Sequence, residues 1–161
     1  MEGQSVPVSV KVFGILNTIF GSFGVVTSPF TLLAMRRTVM VYERFDAGPL
    51  VLGWIRLSLL ISPIIAGVLL ATGIGLLMKK AWGRSAAVIL AYISIGISIF
   101  NIILILSVFA KGLGGSESAA AVGGIIGGII GGTIGLIYPI LTAIFLTRPD
   151  VKAALERRSQ G

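Results

Sequence analysis

Few side chains in this sequence are equipped for bond-making chemistry. Glu43 and Asp46 form the one nearby carboxylate pair outside the C-terminal stretch, the kind of pair that general acid–base catalysis uses. They stand among Arg36, Arg37 and Arg44, so the pattern fits an exposed, salt-bridged segment better than a proton-transfer site. Gly73-Ile-Gly75 has glycine spacing but lies inside a long apolar run. No phosphate-cradling loop, zinc-binding helix motif or nucleophile elbow is present. Histidine and cysteine are both missing. That removes the commonest metal ligand, the neutral-pH base and every thiol reaction. The expectation is a protein that is not an enzyme and has no metal or cofactor site.

The residue patterns that stand out are suited to packing. Gly123, Gly124, Gly127, Gly128, Gly131, Gly132 and Gly135 recur with a period of four. Four residues exceed one 3.6-residue turn only slightly, so these glycines wind along one helix as a groove, with isoleucines opposite. Such a groove lets another backbone approach closely. It would pack inside the chain, dock a foreign helix or a second copy, or act as a flexible gate. Asn17 and Asn101 are the strongest polar groups within the apolar runs, and both should point inward, since an amide facing lipid is left unpaired. They fall at different depths and are not expected to bond each other. Pro29, Pro63 and Pro139 should kink their helices, with Thr27, Ser28, Ser58 and Ser62 placed to satisfy freed backbone groups.

These residues must be positioned by membrane-spanning helices. Apolar residues make up 55% of the chain and charged residues 12%, about half the charge of a typical soluble domain. Four stretches reach the roughly 20 residues needed to cross a bilayer: 12–35, 57–78, 85–110 and 118–147. The fold class is therefore all-α, an integral membrane four-helix bundle in one domain. The tail, 148–161, should add a short interfacial helix that opens at Pro149 and rests Val151, Ala154 and Leu155 on the membrane surface. Residues 36–56 should form the larger connection and 111–118 a small flexible one. The first span is too long for a cleavable signal.

The net charge of +7 is spread over short segments flanking the spans, which suits lipid head groups rather than nucleic acid. Eight cations, including Lys11, Lys79, Lys80, Arg84 and Arg148, fall on one side, and Arg36, Arg37, Arg44, Arg56 and Lys111 on the other. The short basic turn Lys79–Arg84 then places both termini in the cytoplasm. Trp54, Trp82, Lys79, Lys80, Arg84 and Arg148 are expected to anchor the helices at the lipid interface.

Three stretches carry a family resemblance: Gly14 to Gly21, Gly73 to Arg84, and Tyr138-Pro139 through Arg148-Pro149-Asp150 to Leu155. The layout resembles small bacterial four-transmembrane-helix proteins of uncharacterised function. It implies an inner-membrane bundle with cytoplasmic termini and implies no activity. The expected partners are the bilayer and other membrane subunits or further copies. The leading expectation is an accessory or assembly subunit docking through the fourth helix; the alternative is a homo-oligomeric channel or pore.

Overall fold

The computed structural model describes residues 7–110, 113 and 118–159. Among them it has five helices and no strand: α1 (Val8–Arg44), α2 (Pro49–Leu77), α3 (Ala81–Phe109), α4 (Ser118–Leu146) and α5 (Pro149–Ser159). Four are long and apolar enough to cross a membrane. A 29-residue helix is roughly 43 Å long, against about 30 Å of hydrocarbon, so the ends of α2, α3 and α4 reach beyond the apolar layer. Phe30 and Leu33 are 70% and 81% exposed, and they belong to an apolar outer surface of the kind that meets lipid. The chain is an all-α, multi-pass membrane bundle.

The connection expected over 36–56 is only a four-residue turn. α1 continues to Arg44 and α2 begins at Pro49. Charged residues mark where a helix leaves lipid, not where it ends, and nothing between Arg36 and Arg44 breaks a helix. The break comes at Asp46, with φ at 51°. The Asp46 N–H donates to the Glu43 carbonyl (3.1 Å) and the Ala47 N–H to the Tyr42 carbonyl (3.2 Å), the paired bonds of a Schellman end. Pro49 then occupies the first helical position of α2, where its missing N–H is harmless. The basic turn uses the same device. Lys79 has φ at 58°, and the N–H groups of Lys79 and Lys80 donate to the carbonyls of Leu76 (3.0 Å) and Gly75 (2.9 Å). The expected 111–118 connection falls outside the described residues except for Leu113 and Ser118.

α1 lies along α2 and α3 along α4, with α2 against α3. The closest approach is between α1 and α2. A Cβ at Gly21 would stand 2.4 Å from the Leu70 backbone nitrogen, and one at Gly73 would stand 2.5 Å from that of Thr18. Gly14, Thr18, Gly21 and Gly24 follow at steps of four, three and three, which puts them on one face of α1. Apolar side chains gain little by leaving lipid for one another, so this backbone-to-backbone packing supplies the dispersion contact that holds the pair together.

The two ends of the bundle are closed by apolar clusters. At the tail end Val10, Phe13, Leu76, Ala87, Leu146 and Val151 are buried together. Val151 is fully buried, so α5 is pinned into the bundle and does not simply rest on the membrane surface. The reason is the short link from Leu146 to Pro149, which turns α5 back against α3 and α4. At the turn end Phe45, Ala47, Val108 and Phe109 form the second cluster.

The helices run on through Pro29, Pro63 and Pro139. Each proline deprives the carbonyl four residues earlier of its donor. Ser28 donates to the Val25 carbonyl (2.7 Å) and Ser62 to the Leu59 carbonyl (3.0 Å). In both cases the residue just before the proline replaces the lost bond.

Gly21→Ala should destabilise the protein by about 1–3 kcal/mol, the range for overpacking. Gly127→Ala should be neutral or stabilising by up to about 1 kcal/mol from helix propensity, because nothing among the described residues lies within 4 Å of a Cβ there. Thermal unfolding in detergent followed by circular dichroism ranks the two.

Candidate functional site: a glycine-walled cleft within the bundle

The site is framed by a polar node on one side. Asn17 of α1 is 1% exposed. Its Nδ2 donates to Thr72 Oγ1 of α2 (3.2 Å), and its Oδ1 accepts from the Tyr138 hydroxyl of α4. The directions are fixed by Thr72, whose own hydroxyl is spent on the Leu69 carbonyl (2.8 Å) and can therefore only accept from Asn17. Three helices meet at one amide. Phe13 and Phe20 of α1 pack against Tyr138, and Phe13 also against Phe145. Among the described residues, every ring contact and side-chain hydrogen bond between α1 and α4 lies in this tail-end region.

On the other side, Tyr42 and Phe45 pack against Phe109 at 5.6 and 4.6 Å between ring centres. Ile125 of α4 joins that cluster. Between the two closures the helices leave a cleft of about 400 Å³. Trp54, Ser58 and Leu59 of α2 and Ser98, Asn101 and Ile105 of α3 line its floor. Gly127, Gly131 and Gly135 of α4 form one wall, and Thr38 and Tyr42 reach it from α1. A second cavity of about 120 Å³ shares Gly135 and continues to Ser94, Thr142, Tyr138 and Asn17.

The glycine ladder divides into two rows with different surroundings. Added Cβ atoms at Gly124, Gly128 and Gly132 would strike Phe109, Ile105 and Ile102 of α3 at 2.4–2.6 Å. This row holds α4 against α3. At Gly123, Gly127, Gly131 and Gly135 nothing among the described residues lies within 4 Å; this row is exposed, and Gly127, Gly131 and Gly135 line the cleft. The physical cause is the 100° step between adjacent helix positions: neighbouring glycines cannot face the same partner.

Asn101 is separate from Asn17 and has its own partner. The Trp54 indole N–H donates to Asn101 Oδ1 (2.9 Å), and the indole stands edge-on to Phe100. Trp54 therefore turns its N–H into the bundle, not toward head groups as an interfacial anchor would. Trp82 is exposed at its helix end with its ring edge beside Gly75, and Lys79 and Lys80 are exposed in their turn. Arg84 reaches inward: its Nη1 donates to the Leu146 carbonyl (3.2 Å), where a cation suits the negative end of α4. The Arg148 guanidinium lies over the Phe145 ring at 4.5 Å, a cation–π contact. Glu43 pairs with Arg56 at 3.9 Å, both half-exposed, a weak surface bridge. Among the described residues no charged side chain lines the cleft, which offers packing surface and neutral hydrogen-bonding groups.

Sequence reasoning missed the glycine face of α1 and the partners of Asn17. The steps Gly14, Thr18, Gly21, Gly24 carried the first signal. Ser94, Ser98 and Asn101, at i, i+4 and i+7, marked the polar face of α3 that looks into the cavities.

The fold and cleft define a multi-pass helical membrane protein with an internal cleft. No family model, curated protein or solved structure matches the chain.

Tyr138→Phe should cost about 1–2 kcal/mol. It leaves Asn17 Oδ1 buried without its donor, and single hydrogen bonds between membrane helices reach about that size. Reversible unfolding in mixed micelles measures the loss, and an unchanged midpoint would show the node to be dispensable.

Proposed function

We propose that this protein is a non-catalytic accessory or assembly subunit that seats a transmembrane helix of another membrane protein on α4. The open glycine row carries the reading. Each glycine costs about 0.8–1.0 kcal/mol against alanine in a helix. For Gly124, Gly128 and Gly132 that cost is offset by contact with α3. For Gly123, Gly127, Gly131 and Gly135 no contact within the described chain offsets it, and a helix laid along the mouth of the cleft would. Ile126, Ile130 and Ile137, about half-exposed beside the row, offer ridges to such a partner. The resemblance to small bacterial four-helix membrane proteins and the basic turn at Lys79–Lys80 support an inner-membrane location with cytoplasmic termini.

The test is native mass spectrometry of the protein extracted gently from its own membrane. Gly127→Leu with Gly131→Leu should release stoichiometric partner subunits while the melting temperature stays within a few degrees of wild type. Gly128→Leu, on the internal row, should instead lower stability itself. Loss of identical copies in the double variant would move the homo-oligomeric pore ahead. A bare wild-type monomer would overturn docking through α4.

A further inference from the structure

We infer that the floor of the cleft holds one acyl chain of a membrane phospholipid, with the chain's ester carbonyl accepting a hydrogen bond from Asn101. The argument starts from the amide. An indole N–H only donates, so Trp54 fixes Asn101 with its Oδ1 toward α2. Asn101 Nδ2 is left with two N–H donors and no acceptor among the described residues. Ser98, one turn away on the same cleft face, also donates to no described group. Unfilled donors in an apolar site call for an acceptor, and a lining without charge among the described residues calls for a neutral one.

The route in and the depth both point to lipid. No described α1 residue between Asn17 and Thr38 lines either cavity, so over that stretch α1 does not wall the cleft on the side between α1 and α4, the side that faces the bilayer. Asn101 lies eight residues before the end of α3, roughly 12 Å along the axis at 1.5 Å per residue. A helix of roughly 43 Å centred on about 30 Å of hydrocarbon overhangs by roughly 6 Å at each end. Asn101 then sits about one helical turn below the edge of the apolar layer, and Trp54, five residues into α2, sits nearly at that edge. Ester carbonyls occupy that edge, and the tail below them would run along the side-chain-free wall at Gly131 and Gly135. The volume, about 400 Å³, is within the range of small-molecule sites. This inference does not rest on the partner reading: a helix on the rim would roof the cleft, and the lipid is sought in the chain alone.

Trp54 is a built-in reporter, because the chain has two tryptophans and Trp82→Phe leaves it alone. The Trp82→Phe protein is placed in phosphatidylcholine vesicles doped with brominated diacyl phosphatidylcholine or with its dialkyl-ether counterpart, which lacks the carbonyls. The expected result is a saturable component of Trp54 quenching, half-reached at an about fivefold lower ratio of brominated to host lipid for the ester than for the ether, the size of one neutral hydrogen bond. Asn101→Leu should bring the ester midpoint to the ether one, and Gly131→Leu should remove the saturable component. Equal midpoints for the two lipids in the Trp82→Phe protein would overturn the carbonyl assignment, whether or not Asn101→Leu folds. A saturable component that survives Gly131→Leu would place the chain elsewhere and overturn the site.

Discussion

The arrangement hangs on the approach of α1 to α2 with no side chain between them at Gly21 and Gly73. In a bilayer, apolar side chains gain little by leaving lipid for each other. Helices associate where atoms can come closer to one another than lipid tails can come to them. Gly14, Gly21 and Gly24 on α1 and Gly73 on α2 provide that closeness over most of the tail half of both helices. The approach sets Asn17 opposite Thr72, and the rigid α1–α2 pair then offers a single amide to Tyr138 of α4. The hydrogen-bond node follows from the glycine packing and locks α4 to the pair at one level only.

That single lock explains the cleft. α4 is committed to α3 along Gly124, Gly128 and Gly132 and to α1 at Tyr138. Near the turn end the Phe45–Phe109 cluster, which Ile125 of α4 joins, closes the bundle with bulky side chains. Between the two closures lies the cleft, lined by Gly127, Gly131 and Gly135 of the second glycine row. Glycine thus does two opposite things in one molecule. In α1 and α2 it removes space between backbones; on the mouth of α4 it leaves space unfilled.

The polar groups divide in the same way. Asn17 is satisfied on both sides by groups of the chain. Asn101 has its acceptor filled by Trp54 and its donors left over. A bilayer provides no water at that depth to make up the difference. The contrast between a finished amide and a half-finished one, in the same bundle, separates a structural group from a binding group without any charged residue.

Apolar run length and charge placement determined the class of protein by themselves, because spanning a bilayer is a constraint on composition that needs no partner. The Schellman turns were less legible. Charge located the lipid boundary near Arg36 and Leu57, whereas the helix ends depended on backbone conformation at Asp46 and on Pro49. The seven glycines of α4 were visible as a packing surface, yet their division into a used row and an open one was not, since periodicity is symmetric about the helix and only α3's position breaks that symmetry. The same holds for Trp54: its place near a helix end suggests an interfacial anchor, but the side toward which it turns was decided by Asn101, 47 residues away. Likewise Val151 sits in the core because α5 folds back against α3 and α4. Local sequence sets what each helix can offer; which neighbour receives it is settled only when the four helices are packed.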